Sequence, residues 1–239
     1  MPEVLAIVPA RAGSKGIPGK NFLVLGGVPL WLRACSTARE AGVEQVVVSS
    51  DAPEPAWCPV QWLPRPAALA ADDTPMLAAV QHALEAVPGP PEQIILLLQP
   101  TQPFRTPAHL REAVRLLQDS GADSVVSVVA LPLTHSPEYA CFAGDGYLVP
   151  WLWEWGFARC DALPRLSDMP ARRQDTLPAC LRDGTVYAFW RRTLTKHGHI
   201  YGRDCRPLII PPADSCSLDT PEDWADVQRR WAVQPTGRG

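Results

Sequence analysis

The 239-residue sequence predicts an α/β fold, a mostly parallel β-sheet flanked by helices. The first observation behind this prediction is that short apolar runs of strand length alternate with helix-like segments through the first half of the chain. The second is the placing of those helices between strands, because crossover helices join parallel strands and cover both faces of the sheet. In such sheets ligands bind beyond the carboxyl ends of the strands, so the residues after each apolar run are candidates for a site.

The element boundaries follow from residues that start or stop helices. Pro29 begins one predicted helix and Gly42 lies just past its end, Pro107 begins another, and Asp73 or Thr74 is predicted to cap a third. The same patterns place strands at 4–8, 45–49, 60–63, 94–98, 124–129, 185–190 and 207–211, and helices at 29–40, 74–86, 106–119 and 221–231. The predicted arrangement is a Rossmann-like sheet.

Composition indicates an ordinary globular domain and excludes several classes of partner. Hydrophobic residues make up 46% of the chain and charged residues 20%. The formal net charge is −3, so no basic excess points to nucleic acid. No apolar run approaches the length that spans a bilayer, and the first residues lack the basic and apolar regions of a signal peptide. We expect one domain at 1–232 and a disordered tail at 233–239, with neither nucleic acid nor a membrane as partner.

The seven cysteines are scattered, odd in number and never spaced as C-x-x-C. This pattern indicates neither a disulfide framework nor a zinc site. Reduced thiols are typical of cytosolic proteins, so we expect a cytoplasmic location.

The first predicted strand runs directly into a loop that is rich in glycine and positive charge. Glycine lets a backbone turn sharply and approach a ligand closely, and successive backbone N–H groups form a concavity that binds anions. Basic side chains so close together would repel one another without an anion. The loop is therefore predicted to hold phosphates, and the competing interpretation is a basic surface turn that binds nothing. The residues concerned are Gly13, Gly16, Gly19, Arg11, Lys15 and Lys20.

This loop is neither of the two common phosphate-binding motifs. The Walker pattern has four residues between its glycines and ends in Lys and Ser or Thr. Here five residues separate Gly13 from Gly19, and Asn21 follows Lys20. The dinucleotide fingerprint G-x-G-x-x-G is not in the sequence either. Residues 49–51 and 99–101 also follow predicted strands and are expected at the same edge of the sheet.

Residues 8–21 resemble the signature I-P-A-R-x-G-S-K-G-x-x-x-K-N of the acylneuraminate cytidylyltransferases, the CMP-sialic acid synthetase family. The resemblance covers most of residues 3–231 and implies a nucleotidyltransferase (GT-A-like) fold. It also implies that the loop grips the triphosphate of CTP, with Arg11 and Lys20 as catalytic groups that stabilise the leaving pyrophosphate. The residues expected around the triphosphate are Ala10, Arg11, Gly13, Ser14, Lys15, Lys20 and Asn21.

A second resemblance follows the third predicted strand. Residues 65–74 are similar to R-P-x-x-L-A-x-D-x-T, which in the family surrounds the cytosine. The resemblance implies that Arg65, Asp73 and Thr74 contact the base. From residue type alone, Arg65 would be a solvated surface arginine.

Residues 98–106 resemble the string L-Q-P-T-S-P-L-R-T, with Gln102 and Phe104 in place of Ser and Leu. The resemblance places Gln99 where a sugar hydroxyl or the nucleotide is hydrogen-bonded. From residue types alone, the stretch is a turn that leads into a helix. The two exchanges are mild changes within a loop.

Residues 173–187 are similar to R-Q-x-L-P followed by N-G-x-x-Y, with one extra residue before Leu177 and Asp183 in place of Asn. The resemblance implies that Arg173, together with Tyr187, holds an acidic sugar. The fork of an arginine suits a carboxylate, so Arg172 and Arg173 fit an anionic second substrate. The alternative is an exposed arginine pair. Many relatives carry a lysine that follows a proline after the strand around Val129, whereas Glu138 follows Pro137 here, which leaves the acceptor open.

Residues 217–224 resemble D-x-D-T-P-E-D-W, with Ser217 in place of the first aspartate. The resemblance makes Asp219 a catalytic metal ligand, and Mg²⁺ accepts a single carboxylate when phosphate and water complete its shell. The related Kdo cytidylyltransferases also carry one aspartate here. The competing interpretation makes Asp219 or Thr220 the cap of the helix that Pro221 begins, and both roles are compatible.

Residues 131–181 carry no long helical pattern and are rich in Pro, Trp and Arg. At strand spacing Trp151, Trp153, Trp155 and Phe157 share one face, which is typical of core packing or of an interface. The resemblance implies an inserted arm at about 136–170 that pairs two subunits. We therefore expect a homodimer.

The reaction implied by the resemblance transfers CMP from CTP to the anomeric hydroxyl of a 2-keto-3-deoxy sugar acid, such as a sialic acid-like nonulosonate, and releases pyrophosphate. The hydroxyl would attack the α-phosphorus in line, while Mg²⁺ on Asp219 lowers the pKa of that hydroxyl. One alternative is a nucleotidyltransferase of the same fold with UTP or with another acidic acceptor, Kdo-like or not a sugar. The other is a protein that binds CTP without turnover.

Overall fold

The computed structural model describes residues 3–14, 16–137, 140–144, 147–150, 172 and 178–233. The chain divides into two compact units, one formed by residues 1–128 with 182–239 and the other by residues 129–181. In chain order the elements are β1 (Val4–Pro9), β2 (Val24–Leu25), β3 (Val28–Pro29), α1 (Leu30–Glu40), β4 (Gln45–Ser50), β5 (Gln61–Pro64), α2 (Met76–Ala86), β6 (Ile94–Leu97), α3 (Pro107–Ser120), β7 (Ser124–Ala130), β8 (Cys141–Gly144), β9 (Tyr147–Pro150), β10 (Cys180–Trp190), α4 (Arg191–His197), β11 (Cys205–Ile209) and α5 (Pro221–Ala232).

Seven of these strands form one sheet in the order β11-β7-β10-β6-β1-β4-β5. The pairs β1–β4, β1–β6, β4–β5 and β7–β11 are parallel, and β10 runs antiparallel to β6. The central strands are apolar on both faces, as is typical of a sheet that helices cover on both sides. The mostly parallel α/β fold predicted from the sequence is therefore confirmed.

Alternation along β1 divides the core into two layers. Leu5 and Ile7 point to the face where Val80 and Ala83 of α2 complete a buried cluster with Phe189 of β10. The residues between them point to the opposite face, against which α1 packs. This packing fixes the carboxyl ends of β1, β4 and β6 at one edge of the sheet.

Two helix starts show how local chemistry sets the boundaries. Helix α3 begins as predicted, because Thr106 accepts a hydrogen bond from the His109 backbone N–H in a capping box. Helix α2 begins later than predicted, at Met76 rather than Thr74. Its N-cap is Pro75, which has no capping side chain, and the Thr74 hydroxyl donates instead to the carbonyl oxygen of Ala68 at 3.1 Å. The predicted cap by Asp73 or Thr74 is therefore wrong.

Sequence patterns missed two small elements of the first unit. The hairpin β2–β3 turns through Gly26 and Gly27, whose φ angles of 57° and 81° suit glycine. Helix α4 has only seven residues, too few for a helical period to stand out, and ends at Gly198 with a φ of 71°.

The described part of the predicted arm contains the antiparallel hairpin β8–β9. The aromatic residues at 151–157 lie outside the described residues, as do 234–239 of the predicted tail, so the arm and the tail stay predictions. Among the described helices, none combines the length and the apolar character that crossing a membrane requires.

Candidate functional site

Several of the predicted site residues that the structure describes come from segments that meet at one edge of the sheet. Strands β1, β4 and β6 are parallel neighbours, so the residues that follow them share their carboxyl edge. Strand β10 runs antiparallel to β6, with Tyr187 beside Leu97, and so brings its first residues to the same edge. Four segments distant in sequence are thereby placed around one region.

The loop after β1 is anchored to the sheet by its first residues. The N–H of Ala10 donates to the carbonyl oxygen of Ser49 at 2.9 Å, and the carbonyl oxygen of Ala10 accepts from the Ser50 hydroxyl at 2.6 Å. The N–H of Ala12 donates to the Asp51 carboxylate at 2.7 Å. Both backbone groups of Ala10 are thus engaged with β4, and a ligand would meet the loop from Arg11 onward.

Asn21 fastens the other end of this loop. Its side chain is buried, and its amide nitrogen donates to the carbonyl oxygen of Arg11 at 2.9 Å. Asn21 therefore fixes the curvature of the loop that carries Gly13 and Ser14. Lys15 lies outside the described residues.

Arg11 connects this loop to the segment predicted to surround the base. Its Nη1 donates to Oδ1 of Asp72 at 2.8 Å and lies 3.4 Å from the carbonyl oxygen of Ala70. The side chains of Arg11 and Asp72 remain 30% and 38% exposed, so water and incoming anions can reach the pair. The Asp72 carboxylate therefore contacts the Arg11 guanidinium, which is the group predicted to contact phosphate.

Arg65 is a buried residue, and the alternative of a solvated surface arginine is wrong. It is 7% exposed, and its Nε and Nη2 donate to the hydroxyl and carbonyl oxygens of Ser49 at 3.1 and 2.8 Å. Burial lowers the pKa of its guanidinium, while nearby Asp51 opposes that shift. Arg65 thus stabilises the edge of the sheet at β4 and β5. Of the other residues predicted to contact the base, Asp73 is exposed and Thr74 is half-buried.

Lys20 and Asp219 meet at the mouth of the loop. The Lys20 Nζ donates to Oδ1 of Asp219 at 2.8 Å and to the carbonyl oxygen of Leu218 at 2.7 Å. The Ser217 hydroxyl donates to the other oxygen of Asp219 at 3.0 Å. These contacts hold the pKa of Asp219 below its usual value, chiefly through the hydrogen bond from Lys20. Ser217, which replaces a family aspartate, therefore acts on Asp219 as a neutral donor.

The approach of the loop to Asp219 requires a glycine. A Cβ on Gly16 would lie 2.0 Å from the carbonyl oxygen of Asp219, whereas a Cβ on Gly13 would meet nothing within 4 Å. Thr220 caps α5, and Asp223 accepts from the N–H groups of Asp219 and Thr220 at 2.8 Å each. Thr220 is therefore the cap, while the side chain of Asp219 faces the loop.

Asp219 is the described carboxylate best placed for a divalent cation. Its side chain is 72% exposed, and its lowered pKa keeps it ionised at neutral pH. Within the part of the chain that the structure describes, no group of three or more His, Cys, Asp or Glu side chains could hold a metal ion. Mg²⁺ needs only one or two carboxylates when phosphate and water oxygens complete its octahedron. The residues fit a Mg²⁺ ion that arrives with phosphates, and not a cage made by protein alone.

The loop after β6 carries Gln99 into the site. Arg105, which is 5% exposed, donates through Nη2 to the carbonyl oxygen of Gln99 at 2.6 Å, and its Nε donates to the carbonyl oxygen of Thr185. Burial lowers the pKa of Arg105 to about 10, so it remains charged at neutral pH. Gly184 has a φ of 78°, and a Cβ there would lie 2.6 Å from Oε1 of Gln99. The Gln99 side chain therefore packs closely against the backbone of β10 at Gly184.

The remaining acceptor-binding predictions have different outcomes. Tyr187 is half-buried, its ring centroid lies 6.5 Å from that of Tyr201, and burial raises its pKa. Arg173 lies outside the described residues. The structure thus places Gln99 just after β6 and Tyr187 on the neighbouring strand β10, and the role of Arg173 stays a prediction.

Sequence reasoning missed three residues that organise the site. Asp51 and Asp72 contact the phosphate loop, and Gln102 joins the loop after β6 to two other segments, those of Asp183 and Cys216. Asp51 follows a predicted strand and was expected at the edge of the sheet, and Asp72 is an aspartate of the base motif, so the sequence carried a signal for both. Gln102, expected to be a mild exchange, is buried at 5% exposure, and only the tertiary structure shows what it contacts.

Comparison with known proteins agrees with this geometry. A family model described as a cytidylyltransferase matches residues 5–139. The CMP-N,N'-diacetyllegionaminic acid synthase of Legionella pneumophila is 32% identical over 95% of this chain and 95% of its own length. The N-acylneuraminate cytidylyltransferase of Escherichia coli is 36% identical over 61% of this chain and 35% of its own. The N-acylneuraminate cytidylyltransferase A of Danio rerio is 29% identical over 95% of this chain and 50% of its own, so the chain spans half or less of these last two relatives.

Solved structures share the fold. A CMP:2-keto-3-deoxy-manno-octonic acid synthetase complexed with CTP superposes with a TM-score of 0.67 at 18% identity, covering 96% of this chain and 98% of its own. The 2-C-methyl-D-erythritol 4-phosphate cytidylyltransferase from Thermus thermophilus superposes with a TM-score of 0.61 at 18% identity, covering 97% and 100%. At such low sequence identities these structures show the fold alone.

The fold and these matches define an enzyme of the nucleotidyltransferase class. The predicted nucleotidyltransferase fold is confirmed. More narrowly, the chain belongs to the cytidylyltransferase family, in the branch of the acylneuraminate cytidylyltransferases, the CMP-nonulosonate synthetases.

Proposed function

We propose that this chain transfers CMP from CTP to the anomeric hydroxyl of a 2-keto-3-deoxy sugar acid of the nonulosonate type and releases pyrophosphate. The contact between Lys20 and Asp219 carries the proposal, because it brings the cationic loop after β1 to the exposed carboxylate before α5. A relative of nearly the same length, the Legionella synthase, supports an acceptor of this class.

The residues of the chain would act mainly by positioning and by neutralising charge, which is most of what phosphoryl-type transfer needs. The sugar hydroxyl would attack the α-phosphorus and lose its proton to solvent, the bond from that phosphorus to the bridging oxygen would break, and pyrophosphate would leave. Lys20 and Arg11 would donate to phosphate oxygens as negative charge moves onto the leaving group. Gly13, Ser14 and Lys15 would complete the cradle.

Asp219 would hold Mg²⁺, and the bound ion would supply a Lewis acid that neutralises phosphate charge and lowers the pKa of the attacking hydroxyl. Gln99, Arg173 and Tyr187 would orient the acidic sugar. Arg65, Asp73 and Thr74 would surround the base. We propose in addition a homodimer formed through the inserted segment, and a cytoplasmic location, which the free thiols of Cys35, Cys58, Cys180, Cys205 and Cys216 support.

The test is release of pyrophosphate from CTP and Mg²⁺ across a panel of sialic, legionaminic, pseudaminic and Kdo-type acids. Release with one nonulosonate and not with Kdo supports the proposal and names the acceptor. Release with Kdo alone would move the acceptor to the octulosonate class, and a preference for UTP would change the nucleotide. Silence with every acid, with CTP binding seen by thermal shift, would contradict the proposed reaction.

A further inference from the structure

The amide of Gln102 is an unusually well-satisfied polar group in the interior of the first unit. Its Nε2 donates to the carbonyl oxygens of Asp183 and of Cys216, the latter at 2.9 Å. Its Oε1 accepts from the N–H of Cys216 at 3.4 Å. The Gln102 residue is 5% exposed, and its partners Asp183 and Cys216 are half-buried, so the loss of these bonds would leave carbonyl groups unpaired with little access to water.

Each hydrogen-bond partner of Gln102 lies in a segment that supplies a predicted site residue. The Gln102 N–H donates to the carbonyl oxygen of Gln99 at 3.3 Å, within the loop after β6. Asp183 precedes Gly184, which packs on the Gln99 side chain, and leads along β10 to Tyr187. Cys216 precedes the stretch in which Lys20 contacts the backbone of Leu218.

We propose that Gln102 is a positioning residue that sets the acceptor side of the site, Gln99 and Tyr187, against the side that carries Asp219. The proposal deepens the proposed function and rests on it. Gln102 has no hydrogen bond with the described residues 10–14 or 65–74, so it reaches the groups expected to bind CTP only indirectly, through the segment that carries Asp219. What it controls is the alignment of the sugar hydroxyl with the α-phosphorus.

The size of the effect follows from the sensitivity of transfer reactions to alignment. A displacement of about 1 Å of a positioned group can lower a rate by roughly 100-fold. Serine, which the family string carries at this position, is too short to reach both carbonyl groups. Removing the amide therefore frees two segments at once.

The experiment compares Gln102→Ser and Gln102→Met with the unchanged protein. Met keeps the length and packing of Gln but donates nothing, so it remains informative where the shorter residue fails to fold. Gln118→Ser is the matched control, because Gln118 is exposed on α3, far along the chain from these contacts. We expect kcat to fall about 10- to 100-fold in both Gln102 variants, with KM for CTP within about twofold.

A merely structural role predicts something different. The variants would then melt at a lower temperature, while kcat, measured well below that temperature, would stay within about twofold of the unchanged protein. That result would overturn the proposal, and so would a parallel loss of CTP affinity.

Hydrogen exchange separates failure of this proposal from failure of the proposed function. In Gln102→Met, the amides of 183–187 and 214–220 should exchange about tenfold faster or more, while those of β1 should not change. This comparison needs no turnover, so it decides the role of Gln102 even if no sugar acid releases pyrophosphate. Unchanged exchange at both segments would refute it.

Discussion

The ammonium nitrogen of Lys20 lies 2.8 Å from Oδ1 of Asp219 and donates in addition to the backbone before it. The Lys20 side chain is 18% exposed, whereas that of Asp219 is 72% exposed. The Lys20 side chain is thus mostly buried and fixed by two hydrogen bonds, whereas the Asp219 carboxylate is mostly exposed to solvent. Such an arrangement leaves Asp219 open to a cation and keeps Lys20 fixed where phosphate oxygens would arrive.

Replacement of Lys20 should abolish most of the activity. We expect Lys20→Ala to lower the rate of pyrophosphate release about 100-fold or more, because a fixed charge-stabilising donor at the leaving group is lost. The control is Lys196→Ala, which removes an exposed lysine on α4. A near-normal rate in Lys20→Ala, with Lys196→Ala unchanged, would refute the role of Lys20.

The sequence predicted the elements whose cause is local. Strand β1 is a continuous apolar run, and α3 has its threonine cap and proline at the first turn, so both were predicted to within a residue or two. Helix α2 begins later because Pro75 occupies its N-cap, and Thr74 has a partner outside the helix. Such competition between local signals decides where a helix begins, and the sequence pattern alone does not show which signal prevails.

For the site, motif resemblance identified residues but not their contacts. Lys20 and Asp219 were each predicted, yet their meeting depends on how the sheet brings distant segments together. The contacts of Gln102 are long-range hydrogen bonds between backbone carbonyls and an amide, for which a sequence carries no periodic signal. Resemblance therefore predicted which residues belong to the site, and the structure shows how the described ones among them are held.

Neutralising Asp72 should strengthen the binding of phosphate chains. Asp72 forms an exposed ion pair with Arg11, and an ion pair of this kind is worth about 0.2–1 kcal/mol, which a phosphate must overcome to bind Arg11. We expect Asp72→Asn to bind inorganic tripolyphosphate about two- to fivefold more tightly by isothermal titration.

The comparison that isolates this contact is Asp73→Asn. It removes the same charge one residue away, and Asp73 has no hydrogen bond or ion pair among the described residues. A smaller gain in Asp73→Asn than in Asp72→Asn assigns the effect to the Arg11 contact. Equal gains in affinity would show that the effect comes from the loss of one negative charge near the loop and not from the Arg11 contact.

Two glycines of the phosphate loop should respond differently to alanine. In Gly16→Ala the new methyl group would collide with the backbone of Asp219, so we expect a loss of stability of about 1–3 kcal/mol. In Gly13→Ala the methyl group has open space, and the change should stay within about 1 kcal/mol. Urea unfolding measures both, and equal destabilisation would show that the loop does not pack on Asp219 in solution.

Cysteine labelling should follow burial. Burial raises the pKa of both Cys35 and Cys216 to about 12, so each remains a neutral thiol at pH 8. Cys180 and Cys205 are exposed. We expect iodoacetamide at that pH to modify the exposed pair at least about tenfold faster, as followed by peptide mass spectrometry. Rapid labelling of Cys216 would show that the segment before Asp219 opens readily.

The carboxylate of Asp223 should make the stability of α5 depend on acid pH. Hydrogen bonds from the N–H groups of Asp219 and Thr220 lower its pKa in the folded state. The unfolded chain therefore binds the proton more readily, so this stabilisation is present above about pH 4 and is lost as the pH falls through the folded pKa. Asp223→Ala should lower the urea midpoint at pH 7, and this loss should be smaller at about pH 3, below the pKa of an aspartate in the unfolded chain. Glu222→Ala is the control, since this neighbour lies in the same turn without those backbone bonds. A loss in Asp223→Ala that is equal at both pH values would mean that shape, and not charge, stabilises the start of α5 beside Asp219.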